Sequence, residues 1–403
     1  MVYISRSPLA DTIYADRVRD ALTAFLVFVF IFNVVFLPAD NFGLKKLSFL
    51  LVLALNADKL MTLNTPGEKF AGIFGFGLTT YCICKSVLLN GDITGNISYG
   101  FAGYILLLFI IIEKSNIPFV QITMGMMAVM ATIIAVSGIL DVLGIFSVYS
   151  NTLLIWMYYN SNALVGSNPA LPIGITIFLF ASPLLLIAIP WFISKHRWIL
   201  AGASMIAVVM SGTRANIMMG LTVAFVGLVL NSRKPYIKYL LCIAGAFFAV
   251  YVFIRFNIIG AVSRMFEKKV VSDNIRSMEL DSLMQVWRDD PARLIFGQGF
   301  STTFYNKATQ SNDVAVEWSY INLLRQVGLL PFIAMMAMYL TPAIKSLLSS
   351  RNVIMVFGYL GYLVVAATNP LLYTSTGMTA LLLMMCLSFE AEEDEFGKAI
   401  GWK

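Results

Sequence analysis

Apolar runs of roughly 17–25 residues, the length a helix needs to cross a bilayer, recur along nearly the whole chain. They predict spans at about 18–38, 45–60, 68–89, 98–113, 117–140, 172–194, 197–211, 214–231, 236–255, 317–341, 352–369 and 371–389, ~12 in all. Two stretches break the pattern. Residues 140–172 are rich in Asn, Ser and aromatics, among them Trp156, Tyr158 and Tyr159. Residues 256–316 carry Arg264, Lys268, Lys269, Arg276, Arg288, Arg293 and Lys307. Inside the second stretch, Ile275, Met278, Leu283 and Val286 roughly follow helical spacing, with Ser272 or Asp273 as N-cap and Asp290-Pro291 as the stop. Ile295-Phe296-Gly297-Gln298-Gly299-Phe300 then reads as a tight turn, and Glu317-Trp318-Ser319-Tyr320 as the polar entry to the next span. The chain therefore reads as one all-α polytopic membrane domain over 1–403, with a large outward loop at 256–316 and a smaller one at 140–172.

Composition agrees with this pattern. Hydrophobic residues make up 59% and charged residues 12%, about half the ~25% of a soluble domain. With the N-terminus in the cytoplasm, Lys59, Lys69, Lys114, Lys195, Arg197, Arg233, Lys234, Lys238, Lys345 and Arg351 fall inside, as the positive-inside rule requires. Lys45 and Lys46 fall outside and fit poorly. Both long polar segments then face outward, and the acidic tail Glu390 to Glu395 is cytoplasmic. No small-residue cleavage site follows the first apolar run, so the first span is expected to act as its own insertion signal. The net charge of +6 follows largely from topology and does not point to nucleic acid. The cysteines Cys82, Cys84, Cys242 and Cys386 lie in apolar runs and read as packing thiols. The one histidine, His196, falls on the cytoplasmic side. There is no outward Asp-x-Asp, no His cluster and no phosphate-binding glycine pattern, so no metal, nucleotide or other cofactor is expected.

The candidate chemistry lies at the outward face. Val209-Met210-Ser211-Gly212-Thr213-Arg214 is the turn between two spans, and it puts a guanidinium at the mouth of the bundle. Arg276 lies on the predicted loop helix, in the same compartment. Two planar donor forks near the membrane surface suit a phosphate or pyrophosphate. Arg214 as a headgroup-snorkelling arginine and Arg276 as a solvated charge are the plainer readings. Glu317, where the loop re-enters the bilayer, is a candidate general base or a residue favoured by the helix dipole. Asp273 and Asp281 are its rivals. Trp318 and Tyr320 are suited to stacking on sugar rings or to an interfacial aromatic belt. Ser211, Thr213, Arg288 and Asn274 complete the candidate substrate-binding set.

Together these segments resemble the bacterial O-antigen and oligosaccharide repeat-unit polymerases, whose fold is shared with the O-antigen ligases. The resemblance rests on three features in order. They are the Ser211-Gly212-Thr213-Arg214 turn, then Arg276, Trp287, Pro291, Gly297 and Gly299 in the large loop, then Glu317 to Tyr320 with Gly328 beyond it. Thr368-Asn369-Pro370 adds a late outward turn. The resemblance covers roughly residues 195–390. It implies a GT-C-like glycosyltransferase of the bacterial inner membrane with its site facing the periplasm. It further implies undecaprenyl-pyrophosphate-linked oligosaccharides as substrates, no metal, membrane lipids as surroundings and a chain-length-regulating co-polymerase as possible partner. Two other readings remain open. A ligase usually has a histidine near the position of Glu317 or Trp318, and this chain has none there. A lipid-linked oligosaccharide flippase would concentrate polar groups at mid-membrane rather than at one face.

Overall fold

A computed structural model describes residues 8–38, 40, 43–145, 147, 155–156, 158–159, 164–167, 175–232, 258–314, 316 and 318–389, with the side chains of 8–15, 167, 175 and 258–273 excepted. The protein is an all-α membrane protein with a few short strands. Six helices among the described residues are long and apolar enough to cross a bilayer. The order is α1 (Pro8–Phe36), α2 (Leu44–Leu55), the short α3 (Ala57–Leu60), α4 (Pro66–Asn90), α5 (Ile93–Lys114) and α6 (Phe119–Val142). A hairpin follows, β1 (Leu164–Ser167) with β2 (Ile175–Phe178). Next come α7 (Ser182–Ser194), α8 (Trp198–Met210) and α9 (Arg214–Asn231). The chain then forms α10 (Ile258–Asp289), α11 (Ala292–Phe296) and a second hairpin, β3 (Phe304–Asn306) with β4 (Ser311–Asp313). It ends with α12 (Ser319–Val327), α13 (Leu329–Leu348), α14 (Val353–Ala366) and α15 (Ser375–Phe389).

Local chemistry sets these boundaries. Thr65 opens α4 with a capping box to Glu68, and Pro66 takes the first helical position. Gly91 closes α4 at φ 72°, and Asp92 then caps α5 by accepting from Gly95 N at 2.9 Å. At their centre the helices wrap around α15, whose side chains are buried along nearly its whole length. Buried tyrosines fix the chain entering α15. Tyr339 Oη donates to Leu372 O at 2.7 Å and Tyr362 Oη to Leu371 O at 3.2 Å, so phenol dipoles satisfy carbonyls that no helix serves.

The polar groups gather at two ends. At one end Lys59 Nζ binds Asp20 at 2.7 Å and Ser115 at 2.6 Å, Arg19 pairs with Asp58 at 3.1 Å, and Lys114 lies 3.6 Å from Glu68. At the other end, which bears the α10–β4 segment, Asn90 and Asn96 bind Ser301, and Lys45 binds Ser375.

Several predicted boundaries move. The predicted span at 317–341 is two helices, because Gly328 at φ 78° breaks the run after Val327. The predicted span at 172–194 begins as strand β2, and helix starts only at Ser182. The predicted span at 45–60 is a helix over Leu44–Leu55 followed by a single turn. The loop helix starts at Ile258, well before Ser272, although it stops at Asp289 as the Asp290-Pro291 pair requires. The predicted span at 236–255 lies outside the described residues.

Two glycines hold the loop against the helix break. Gln298 N donates to Arg325 O and Gly299 N to Gln326 O, each at 2.9 Å. A Cβ on Gly297 would lie 2.5 Å from Gln326 O, and one on Gly328 would lie 2.4 Å from Ile295 O. Both glycines also hold positive φ, so only a residue without Cβ fits. Gly297→Ala is expected to cost about 1–3 kcal/mol and to make residues 292–318 protease-sensitive. Gly202→Ala, whose Cβ meets nothing within 4 Å, is expected to leave thermal stability and cleavage unchanged.

Candidate functional site

The loop is seated on the helix ends by Arg325. This side chain is fully buried. Its guanidinium donates to Gln298 Oε1 at 2.8 Å, Thr302 O at 2.9 Å, Val314 O at 2.7 Å and Asn322 Oδ1 at 3.0 and 3.2 Å. Its face covers the Phe304 ring at 4.6 Å. All of these acceptors are neutral. Burial lowers the Arg325 pKa to about 10, partly offset by Tyr99, so the side chain remains a cation at neutral pH. Gln326 adds a bond to Phe300 O at 3.1 Å, and Lys85 binds Val327 O at 2.7 Å.

The other half of the junction comes from the first third of the chain. Asn90 Nδ2 donates to Thr302 Oγ1 at 3.0 Å and Ser301 Oγ at 3.2 Å, and Ser301 donates to Asn96 Oδ1 at 3.1 Å. Phe300 N donates to Ser86 Oγ at 3.2 Å, and the Phe300 ring stacks on Tyr373 at 5.3 Å. An open cavity of about 400 Å³ lies at this junction, walled by Asn90, Asp290, Arg293, Gln298, Thr302 and Thr303, with Phe296 beside them. Arg293 Nε pairs with Asp290 at 3.0 Å. Amide, hydroxyl, carboxylate and guanidinium groups beside one aromatic ring make a lining suited to a hydroxyl-rich ligand such as a sugar.

The residues predicted from sequence fall into two groups. Arg276 is half-buried on α10, and its carbonyl accepts from Trp318 Nε1 at 3.2 Å. Trp318 packs on the small cluster of Leu283, Phe304 and Val316. Tyr320 Oη donates to Leu363 O at 2.9 Å, and Ser319 binds Asn369 O. Trp318 and Tyr320 thus spend their polar atoms tying α12 to α10 and α14. The second group is the α8–α9 turn. Ser211 is buried, donates to Val208 O at 2.6 Å and accepts from Asn216 Nδ2 at 3.2 Å, while Thr213 Oγ1 lies 3.4 Å away. Gly212 at φ 70° makes the turn, and Arg214 begins α9 with its side chain exposed.

The glycine contacts give the direction of α9. Gly227 faces Ile354, and Gly361 faces Val223 and Met219, so α9 runs antiparallel to α14. Arg214 therefore stands at the end of the bundle where α14 finishes, which is the loop-bearing end. Asn274, Asp281 and Arg288 are exposed on α10. The side chain of Asp273 and the whole of Glu317 lie outside the described residues. On α10, Leu283 and Val286 face inward as predicted, but Ile275 and Met278 are exposed, and Glu279 and Ser282 are buried instead. Ser282 accepts from Lys307 N at 2.9 Å, so this face of α10 serves the β3–β4 hairpin.

Arg325 and the asparagine pair Asn90 and Asn96 were not singled out from sequence. A signal existed for Arg325, because it lies inside a stretch predicted to enter the bilayer, where a cation needs a partner.

No protein-family model, no curated protein and no solved structure matches this chain.

Arg325→Met would strand the acceptors on Gln298, Thr302 and Val314. It is expected to cost about 1–3 kcal/mol for each neutral acceptor left without a donor, read as a lower unfolding midpoint and faster tryptic cleavage at Lys307. Arg325→Lys recovers only part of this, because an ammonium cannot reproduce the planar fork.

Proposed function

We propose that this protein polymerises undecaprenyl-pyrophosphate-linked oligosaccharide repeat units at the periplasmic face of a bacterial inner membrane, within a GT-C-like bundle of about 12 spans. The observation that carries this reading is the cavity, lined by both polar and apolar groups, where the folded loop meets the helix ends, at the same end of the bundle as the Arg214 turn. A transporter would need its polar groups deep in the bundle.

In the proposed reaction a sugar hydroxyl of one carrier-linked unit attacks the anomeric carbon of another. The new C–O bond forms as the bond to the diphosphate oxygen breaks. The electron pair leaves with undecaprenyl pyrophosphate, and the hydroxyl proton passes to a base, for which Glu317 is the candidate. Backside attack inverts the anomeric centre. Negative charge grows on the departing diphosphate, and fixed cations there stabilise the transition state more than the ground state. Arg214 and Arg276 are assigned that role. Trp318, bound to the Arg276 carbonyl, positions α10 rather than contacting the sugar. Ser211 and Asn216 hold the Arg214 turn in the same way.

The test is a deletion strain complemented with variants, with membrane level matched and glycan length read on gels. Deletion is expected to leave single repeat units on lipid A core. Arg214→Ala and Arg276→Ala are each expected to slow polymerisation about 10²–10³-fold, with partial recovery in the Arg→Lys variants. Long polymer from both Ala variants would remove the diphosphate role. Carrier-linked polymer in the deletion would instead indicate a ligase, and units trapped inside a flippase. Glu317→Gln is expected to shorten chains, and unchanged length would take Glu317 out of the reaction.

A further inference from the structure

Lys45 and Lys46 sit at the loop-bearing end, opposite the end that gathers Lys59 and Lys114. Insertion gives no reason for two adjacent cations there, since short loops on that side avoid positive charge. A cavity of about 240 Å³ opens beside them, between the α1–α2 turn, the middle of α5 and the chain entering α15. That is room for about eight water molecules at ~30 Å³ each. Lys45, Lys46, Ser98, Tyr99, Tyr373, Thr374 and Ser375 supply its polar lining, all able to donate, and among the described residues no carboxylate lines it.

Lys45 is 7% exposed. Among the described residues, its ammonium uses two of its three N–H groups, on Pro38 O at 2.7 Å and Ser375 Oγ at 3.1 Å. Asp40 is an acid whose charge acts on Lys45, and its Oδ1 accepts from the Lys45 backbone N–H at 2.8 Å. One carboxylate against two ammoniums leaves a net positive site. Lys46 is exposed and only loosely placed, with Nζ 3.5 Å from Ser98 Oγ and 6.0 Å from the centre of the Phe101 ring. It can therefore swing onto an incoming ligand. The N-terminus of α2 starts beside the cavity at Leu44, and its first-turn Lys45 N–H is already taken by the Asp40 carboxylate, so the positive field here comes from the two ammoniums.

We propose that this cavity is a binding site for a phosphate or diphosphate group, with Lys45 as the fixed cation, Lys46 as the mobile one and the Ser98, Thr374 and Ser375 hydroxyls as neutral donors. The group can come from a lipid headgroup at the membrane surface or from a free anion in solution. None of the lining residues belongs to the arginine-bearing turns. The site stands whether or not the chain polymerises glycans.

The test uses the full chain in phosphatidylcholine nanodiscs. Inorganic diphosphate is titrated by calorimetry, and discs doped with phosphatidic acid are examined for retained lipid by native mass spectrometry. Binding of the diphosphate identifies a soluble source, and retention of phosphatidic acid alone identifies a headgroup; either supports the site. Lys46→Gln is expected to weaken the bound probe about tenfold, and Lys46→Glu to abolish it. Both variants should keep the wild-type unfolding midpoint, because Lys46 is exposed. Ser98→Ala gives a smaller loss by a second route. Lys45→Met is less informative, since the side chain also ties Pro38 to Ser375. The proposal is overturned if neither probe binds the wild type, or if the probe binds Lys46→Glu as tightly as wild type.

Discussion

Arg325 lies in a fully buried position, and its guanidinium reaches oxygens of Gln298, Thr302, Val314 and Asn322. A cation there needs a full shell of acceptors, because burying it without one costs several kcal/mol. Three of the four acceptors belong to the segment that follows α10, so the charge cannot be accommodated unless that segment is folded down. The Gly297 and Gly328 contacts then bring the two backbones close enough for main-chain bonds. The cavity walled by Asn90, Gln298 and Thr302 owes its shape to this docking.

Docking also explains why the same end of the bundle holds so many weak sequence signals. The Ser211 turn, the Asn369 turn, α12 and the Lys45 cavity are each small, and each lies where a helix ends. Hydrogen bonds join two of them, Ser319 of α12 to Asn369, and others tie this end to its surroundings, Trp318 to Arg276 and Lys45 to Ser375. The opposite end is built differently. There, ion pairs such as Lys59 with Asp20 and Arg19 with Asp58 join neighbouring helices.

Much of the bundle was legible because a bilayer-crossing helix declares itself by length and apolarity. The edges of α6, α8 and α9 fall within a few residues of where hydropathy puts them. Hydropathy fails at interruptions. Tyr320, Ile321, Leu323, Leu324 and Val327 lead into Leu329, but Asn322, Arg325 and Gln326 interrupt them, and that polar face marks the segment before Gly328, at φ 78°, as distinct from the span after it. Ile175–Phe178 is as apolar as a helix start, yet it pairs with Leu164–Ser167. On the site, the Ser211-Gly212-Thr213-Arg214 turn and the tight turn at 295–300 were readable as motifs, while the contact between Gly297 and Gly328 emerges only from the fold. The burial of Lys45 was not readable, because its partner Ser375 lies 330 positions away, whereas Arg325 has its partners within 27 positions and was marked as a cation inside an apolar run.

That remoteness has a consequence for biogenesis. Ser86 meets Phe300 across 214 positions, and Lys45 meets Ser375 across 330. Lys45 has its local partner Pro38 from the start, but its bond to Ser375, like that of Ser86 to Phe300, waits on chain made much later. The Lys45 contact closes only once Ser375 has left the ribosome, so this face of the molecule is completed long after its first helices are made.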